Sequence, residues 1–394
     1  AIGYAALSQE DANSYNVAIG DSALTQLNAG ASGYNVAVGY SAGQAMTTGI
    51  KNVILGSLAG DALTIGNYNI AIGHLALSAE DTGSRNTAVG FEVLQNLNFD
   101  GNGYNTAMGF QAGAAVTTAV ENTIIGSLAG DAITTGGYNT LMGVHAGGGL
   151  VEGTDNVAIG WSALKTENAH GGNVAIGKEA LKTLDAGAEG YNVAVGLRAG
   201  YLMTTGANNV IVGGLAGDAL TTGIRNVAIG KGALSTEDTG SYNVAIGESA
   251  LTDQNVDNAY NVAVGYHSGL SVTTGVNNTL IGGNAGDALN TGSYNTALGY
   301  NTLGAATIAI SNVAIGAFSL RDNVDGNKNT AVGVQALMVM DPASNIDTYN
   351  TAVGFNAGAA VTTGANNVII GGLAGDALQA GANNVAIGKG AMTT

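Results

Sequence analysis

The chain has 394 residues, with 28 acidic against 11 basic side chains and a net charge of -17. That balance argues against binding along a nucleic-acid backbone and against anionic membrane surfaces, both of which draw Lys and Arg. It has no cysteine, which excludes disulfides and thiolate metal sites, and no apolar run approaches the roughly 18 residues of a membrane span. Glycine supplies 64 residues and proline one, yet 46% of the chain is hydrophobic, so it is not a disordered glycine-rich linker.

A five-residue motif first appears at residues 16–20, between Asn16 and Gly20, and reads Asn-Val-Ala-Ile-Gly. It returns between Asn52 and Gly56, Asn226 and Gly230, and Asn243 and Gly247, and ends at residues 384–388. Of 22 copies, all begin with Asn and end with Gly; the second residue is Val, Ile or Thr and the fourth Val, Ile, Leu or Met. Of the 21 intervals between successive Asn residues, 16 are 17 residues long, and the others are 19, 19, 19, 18 and 21. A fixed short period predicts a repeat architecture that grows by adding coils, each touching its neighbours. The predicted fold is therefore all-β: one continuous parallel β-roll or β-solenoid over residues 1–394, with about 22 coils and no domain boundary.

Residues 226–242 serve as the reference coil. Positions 1 to 4 read as a strand because they are β-branched and apolar. Gly at position 5 reads as a corner, since only glycine takes such backbone angles without steric cost. Ala at position 8 in 18 coils, followed by Leu, Met or Gly, predicts a second strand over positions 8 to 12. A second Gly at position 15 occupies 13 of the 16 coils of standard length; Ala119, His170 and Ala309 replace it in the others. Coils stacked at about 4.8 Å give roughly 105 Å for 22 of them. In register, the Asn amide can donate to one neighbouring coil and accept from the other, a ladder that fixes register. Tyr precedes the Asn in ten coils and is read as stacking along a coil edge.

The five long intervals end at Asn35, Asn105, Asn192, Asn261 and Asn350. The coil after each carries Ile or Leu at position 3 (Ile54, Ile124, Ile211, Leu280, Ile369), then Ala-Gly-Asp. The longest insertion, around residues 340–348, holds the single proline, Pro342, and reads as a bulged corner loop. The sequence starts within a repeat at Ala1 and stops within one at Thr394, and reads as a segment of a longer polypeptide. In the strand, positions 2 and 4 face one way and position 3 the other. All three are apolar in most coils, so both faces are expected to be buried. The Ala-rich row at position 3 is assigned to contact between identical chains.

The motif, followed by Ala-Leu and Thr-Gly, resembles the head repeats of trimeric autotransporter adhesins, whose coil is shorter than 17 residues. The 17-residue form, as in residues 226–242, is similar to repeat arrays in phage tail-fibre and related virion-fibre proteins. The resemblance spans the whole chain and implies a left-handed, homotrimeric β-roll. It implies an extracellular structural shaft of a viral or phage fibre that attaches to a host glycan or protein. A bacterial surface adhesin head and a monomeric ligand- or ice-binding solenoid are the alternatives.

No catalytic, cofactor or metal constellation is read from the sequence, and an enzyme is not expected. His74, His145, His170 and His267 lack metal-ligand spacing. Glu167 lies within three residues of His170 and is put down to corner variation. The acidic pairs Glu10-Asp11, Glu80-Asp81 and Glu237-Asp238 read as solvated turn charge, with cation binding as the alternative. Asp61, Asp131, Asp218, Asp287 and Asp376 follow Gly and read as turn residues bonding their own backbone. Aromatic residues at position 6, such as Tyr40, Phe110 and Trp161, are expected to face outward or line a groove between chains. Thr-Thr pairs such as Thr47-Thr48 and Thr221-Thr222 skip most coils, which weakens an ice-binding reading.

Overall fold

The computed structural model describes residues 1–11, 15–30 and 32–393; Thr394, where the sequence stops, lies outside them. Two compact units emerge, Ala1–Asn192 and Val193–Thr394. Each is a parallel β-solenoid with coils of about 17 residues, and no described residue is helical. The strands are three residues long and occupy motif positions 2 to 4. They run from β1 (Val17–Ile19) to β10 (Val174–Ile176) in the first unit and from β11 (Val193–Val195) to β22 (Val385–Ile387) in the second. Stacking is in phase: Val17, Ala18 and Ile19 pair with Val36, Ala37 and Val38, and Val227, Ala228 and Ile229 with Val244, Ala245 and Ile246.

Each strand ends at its glycine. Gly20, Gly56, Gly230 and Gly247 have φ of +135°, +140°, +133° and +136°, outside the range of ordinary L side chains. A second reason is packing: a Cβ on Gly230 would overlap the carbonyl oxygen of Gly247, and one on Gly56 that of Gly73. Position 5 is thus glycine both for its φ and for the approach of the next coil.

Two expectations are corrected. Positions 8 to 12 do not form a second strand. Residues 231–234 are turns in which φ alternates in sign, with Gly232 at +64° and Leu234 at +54°. Hydrogen bonds between coils still continue here: Leu234 N–H donates to Ala250 O at 3.0 Å and Thr236 N–H to Thr252 O at 3.1 Å. The alternation turns both Ala233 and Leu234 inward, where an extended strand would send one outward.

The second correction concerns the faces of the strand. Ala228 and the rest of the position-3 row are fully buried inside the coil, while Val227 and Ile229 lie on the outer face. Each coil is thin, and its core consists of positions 3, 8, 9 and 12, as in Ala18, Ala23, Leu24 and Leu27. The row of alanines is this core's small component. It is not a contact surface between chains.

The Ile and Leu variants at position 3 follow from the same geometry. Ile54, Ile124, Leu141, Ile211, Leu280 and Ile369 share their coils with Gly60, Gly130, Gly147, Gly217, Gly286 and Gly375 at position 9. Elsewhere position 9 is Leu or Met, except in coils directly preceding one of these six. A Cβ on Gly60 would contact Ile54 Cδ1 at 3.5 Å, and one on Gly43 in the preceding coil would reach the same atom at 3.0 Å. A large residue at position 3 therefore fills the space that Leu at position 9 fills elsewhere, keeping core volume constant.

Candidate functional site

The Asn ladder exists as a hydrogen-bonded column within each unit. Asn52 donates its backbone N–H to Asn35 Oδ1 at 2.9 Å and its Nδ2 to the same oxygen at 3.2 Å. The same Nδ2 donates to Gly66 O at position 15 of its own coil, at 2.9 Å. Asn226 N–H bonds Asn209 Oδ1 at 2.9 Å, Asn226 Nδ2 bonds Gly240 O at 2.8 Å, and Asn243 N–H bonds Asn226 Oδ1 at 2.9 Å. One side chain thus joins neighbouring coils and closes its own coil, a combination only a short amide supplies. Asn16 accepts from both the N–H and the Nδ2 of Asn35. The long coils lose the closing bond because the insertion carries position 15 away. Asn173 Nδ2 turns to Gly171 O, and Asn243 Nδ2 is buried without a partner.

At Glu80-Asp81 and Glu237-Asp238 the glutamate is not solvated turn charge, while at the third acidic pair Glu10 is half-buried and Asp11 exposed. Glu80, Glu167 and Glu237 all occupy position 12, a core position, and their side chains are fully buried. Each carboxylate accepts from its own corner and from the next, longer coil. Glu80 takes the N–H of Gly83 at 2.6 Å and of Phe99 at 3.4 Å. Glu237 takes Gly240 N–H at 2.7 Å, Gln254 Nε2 at 3.0 Å and Val256 N–H at 3.4 Å. Glu10 receives Asn16 Nδ2 at 3.3 Å. Before the 21-residue interval the same position is Asn323, which exchanges two hydrogen bonds with Gly326. Every long coil thus follows a coil with a polar residue at position 12; at Glu80, Glu167, Glu237 and Asn323 its side chain serves backbone groups at the corner. The signal is in the sequence, as a polar residue at a regular apolar position, but it cannot be read until position 12 is known to face inward. Burial raises the Glu80 carboxyl to about 7 and raises Glu167 and Glu237 in the same direction.

At one corner the structure brings together side chains that sequence spacing keeps apart. Glu167, His170 and Asp185 each offer a ligand atom, all within 4.8 Å of one another. Among the described residues this is the one such group of three or more. His74, His145 and His267 join none.

The outer strand face carries a row of exposed apolar side chains. Ile19, Met108, Leu298 and Ile370 at position 4 are 38%, 47%, 43% and 38% exposed, and Val17 and Val210 at position 2 are 44% and 38%. The position-6 aromatics also face solvent. Phe91 and Phe110 stack at 5.5 Å, and Lys178 and Lys182 lie over the Trp161 ring at 5.2 and 5.7 Å. Tyrosines before the Asn form an edge stack at Tyr15–Tyr34 (5.0 Å) and Tyr242–Tyr260 (5.1 Å), as expected. Cations also lie over these rings, as with Arg225 over Tyr242 and Lys328 over Tyr349. Asp61, Asp131, Asp218 and Asp287 are half-buried and raised chiefly by burial, with their own backbone N–H groups opposing the shift. Thr47 and Thr221 hydroxyls donate to the carbonyls of Thr64 and Asp238 in the next coil, a structural use of the Thr pairs.

These features define the class: a parallel β-solenoid repeat protein held by an internal Asn column. No protein-family model matches the chain. No curated protein matches it either.

Proposed function

We propose that the chain is a structural segment of an extracellular fibre, a left-handed homotrimeric β-roll in the shaft of a viral or phage fibre that attaches to a host. Its role is mechanical, not enzymatic. The observation that carries this reading is the outer face of the strands. Positions 2 and 4 place two side chains per coil there, over ten coils in the first unit and twelve in the second. Position 4 is apolar in every coil and position 2 is Val, Ile or Thr. A long contiguous stripe of this kind is the sort of surface that marks an interface on a soluble protein. Three copies facing a common axis would cover it. The exposed position-6 aromatics would then remain as a stacking surface for a host glycan.

Light scattering at micromolar concentration tests the trimer. The parent chain should have three times its chain mass. Ile229→Lys with Ile246→Lys places charge on the outer face, and should yield monomers that keep their β circular dichroism. Ala228→Asp buries an unpaired carboxylate in the coil and should unfold it instead. A monomeric parent would sink the trimer and transfer the case to a single-chain ligand-binding solenoid.

A further inference from the structure

We propose that Glu167, His170 and Asp185 form a site for a divalent transition metal of the zinc type at the corner between two coils of the first unit. Three groups from two coils meet there: Glu167 and His170 from the coil that begins at Asn156, and Asp185 from the longer coil that begins at Asn173. His170 Nδ1 lies 3.2 Å from Glu167 Oε1. Zinc bonds of about 2.0–2.1 Å in a tetrahedron set ligand atoms roughly 3.3 Å apart, so this pair already has the spacing of one edge. Asp185 is exposed, and its carboxylate can close the remaining distance by a surface rotamer change.

The buried carboxylate is oriented as a metal ligand should be. Its Oε1 accepts the backbone N–H of His170 at 3.2 Å and also meets His170 Nδ1, while its Oε2 accepts Ala186 N–H at 3.2 Å and keeps a second lone pair free. Glu189 stands nearby, accepting Gly171 N–H at 3.1 Å, and adds negative charge on the outer side. One imidazole with two carboxylates suits zinc, cobalt or nickel; calcium and magnesium prefer oxygen alone.

The repeat supplies an internal control. Glu80 and Glu237 sit at the same position 12, with Gly83 and Gly240 at position 15. A Cβ on Gly83 or Gly240 would overlap the glutamate carboxylate. The buried glutamate therefore reserves that space in its sister corners, and a clasp for the backbone needs nothing there. Of the corners at Glu80, Glu167 and Glu237, the one at Glu167 alone carries a side chain at position 15, and His170 is a metal-ligating one. The inference does not depend on the fibre reading, because the three groups belong to one chain.

The test uses the full chain, freed of metal by a chelator and titrated with zinc chloride by calorimetry. One tight site per chain is expected, with a rise in Tm on zinc addition. His170→Gly restores the usual residue of the repeat and should fold. It should bind zinc at least about tenfold more weakly and lose the Tm rise, and Asp185→Asn should weaken binding in the same direction. No zinc binding by the parent chain would overturn the proposal. So would zinc binding undiminished in His170→Gly, or calcium bound as tightly as zinc.

Discussion

Gly230 and Gly232 lie two residues apart and both have positive φ, yet they are glycine for different reasons. At Gly232 a Cβ would meet nothing closer than Ser249 Oγ at 3.8 Å, and the same position in the next coil is Ser249 at φ +56°. At Gly230 the φ of +133° and the overlap with Gly247 O act together. Gly230→Ala should therefore destabilise by about 2–5 kcal/mol, combining backbone strain with overpacking, while Gly232→Ser stays within about 1 kcal/mol. Denaturant unfolding of the two variants checks this; equal losses would show that position 5 is not special. That contrast was legible in the sequence, because position 5 never varies and position 7 does. The role of Glu80 was not. Two adjacent acids look like a solvated turn unless the inward phase of position 12 is known, and that phase depends on the alternating φ of the preceding turn.

At the scale of one coil, the strand gave its position but not its orientation. Val227, Ala228 and Ile229 are all apolar, so no polar residue marks the outer side, and the small size of Ala suggested close approach of chains. The marker lay elsewhere, in the coupling of Ile or Leu at position 3 to Gly at position 9. Such pairs belong to one packed volume, so position 3 must face inward. Ile54→Ala alone should leave a cavity and cost about 2–4 kcal/mol. Gly60→Leu alone should overpack against Ile54 and cost about 1–3 kcal/mol. Ile54→Ala with Gly43→Leu and Gly60→Leu recreates the pattern of the ordinary coils and should recover most of both losses. A combined loss equal to the sum of the separate ones would mean that the sites do not share a volume.

For the molecule as a whole, the buried acids set a pH dependence opposite to ordinary acid denaturation. Glu80 has a folded-state carboxyl pushed up to about 7 from 4.5, and Glu237 is raised in the same direction; Asp81 and Asp238 beside them add to the shift. Asp61, Asp131, Asp218 and Asp287 are raised as well. A raised carboxyl binds its proton more tightly folded than unfolded. Between its two pKa values the folded state holds more protons, so stability falls as pH rises through that window and levels off above it. For Glu80 the window is from 4.5 to about 7. Its contribution, discounted for screening, is on the order of 1–2 kcal/mol. The net charge of -17 works in the same direction, since protonation relieves repulsion among the acids. Tm measured at fixed chain concentration should therefore rise as pH is lowered from about 8 to about 5.5. Glu80→Gln with Glu237→Gln keeps the acceptors for Gly83 and Gly240 N–H, turns an amide NH2 toward the donors of the next coil, and removes two titrating groups, so it should flatten the slope of Tm against pH. A parent Tm that falls steadily from pH 8 to 5.5 would show that these carboxylates are ionised in the fold and that the corner amides, not burial, set their charge.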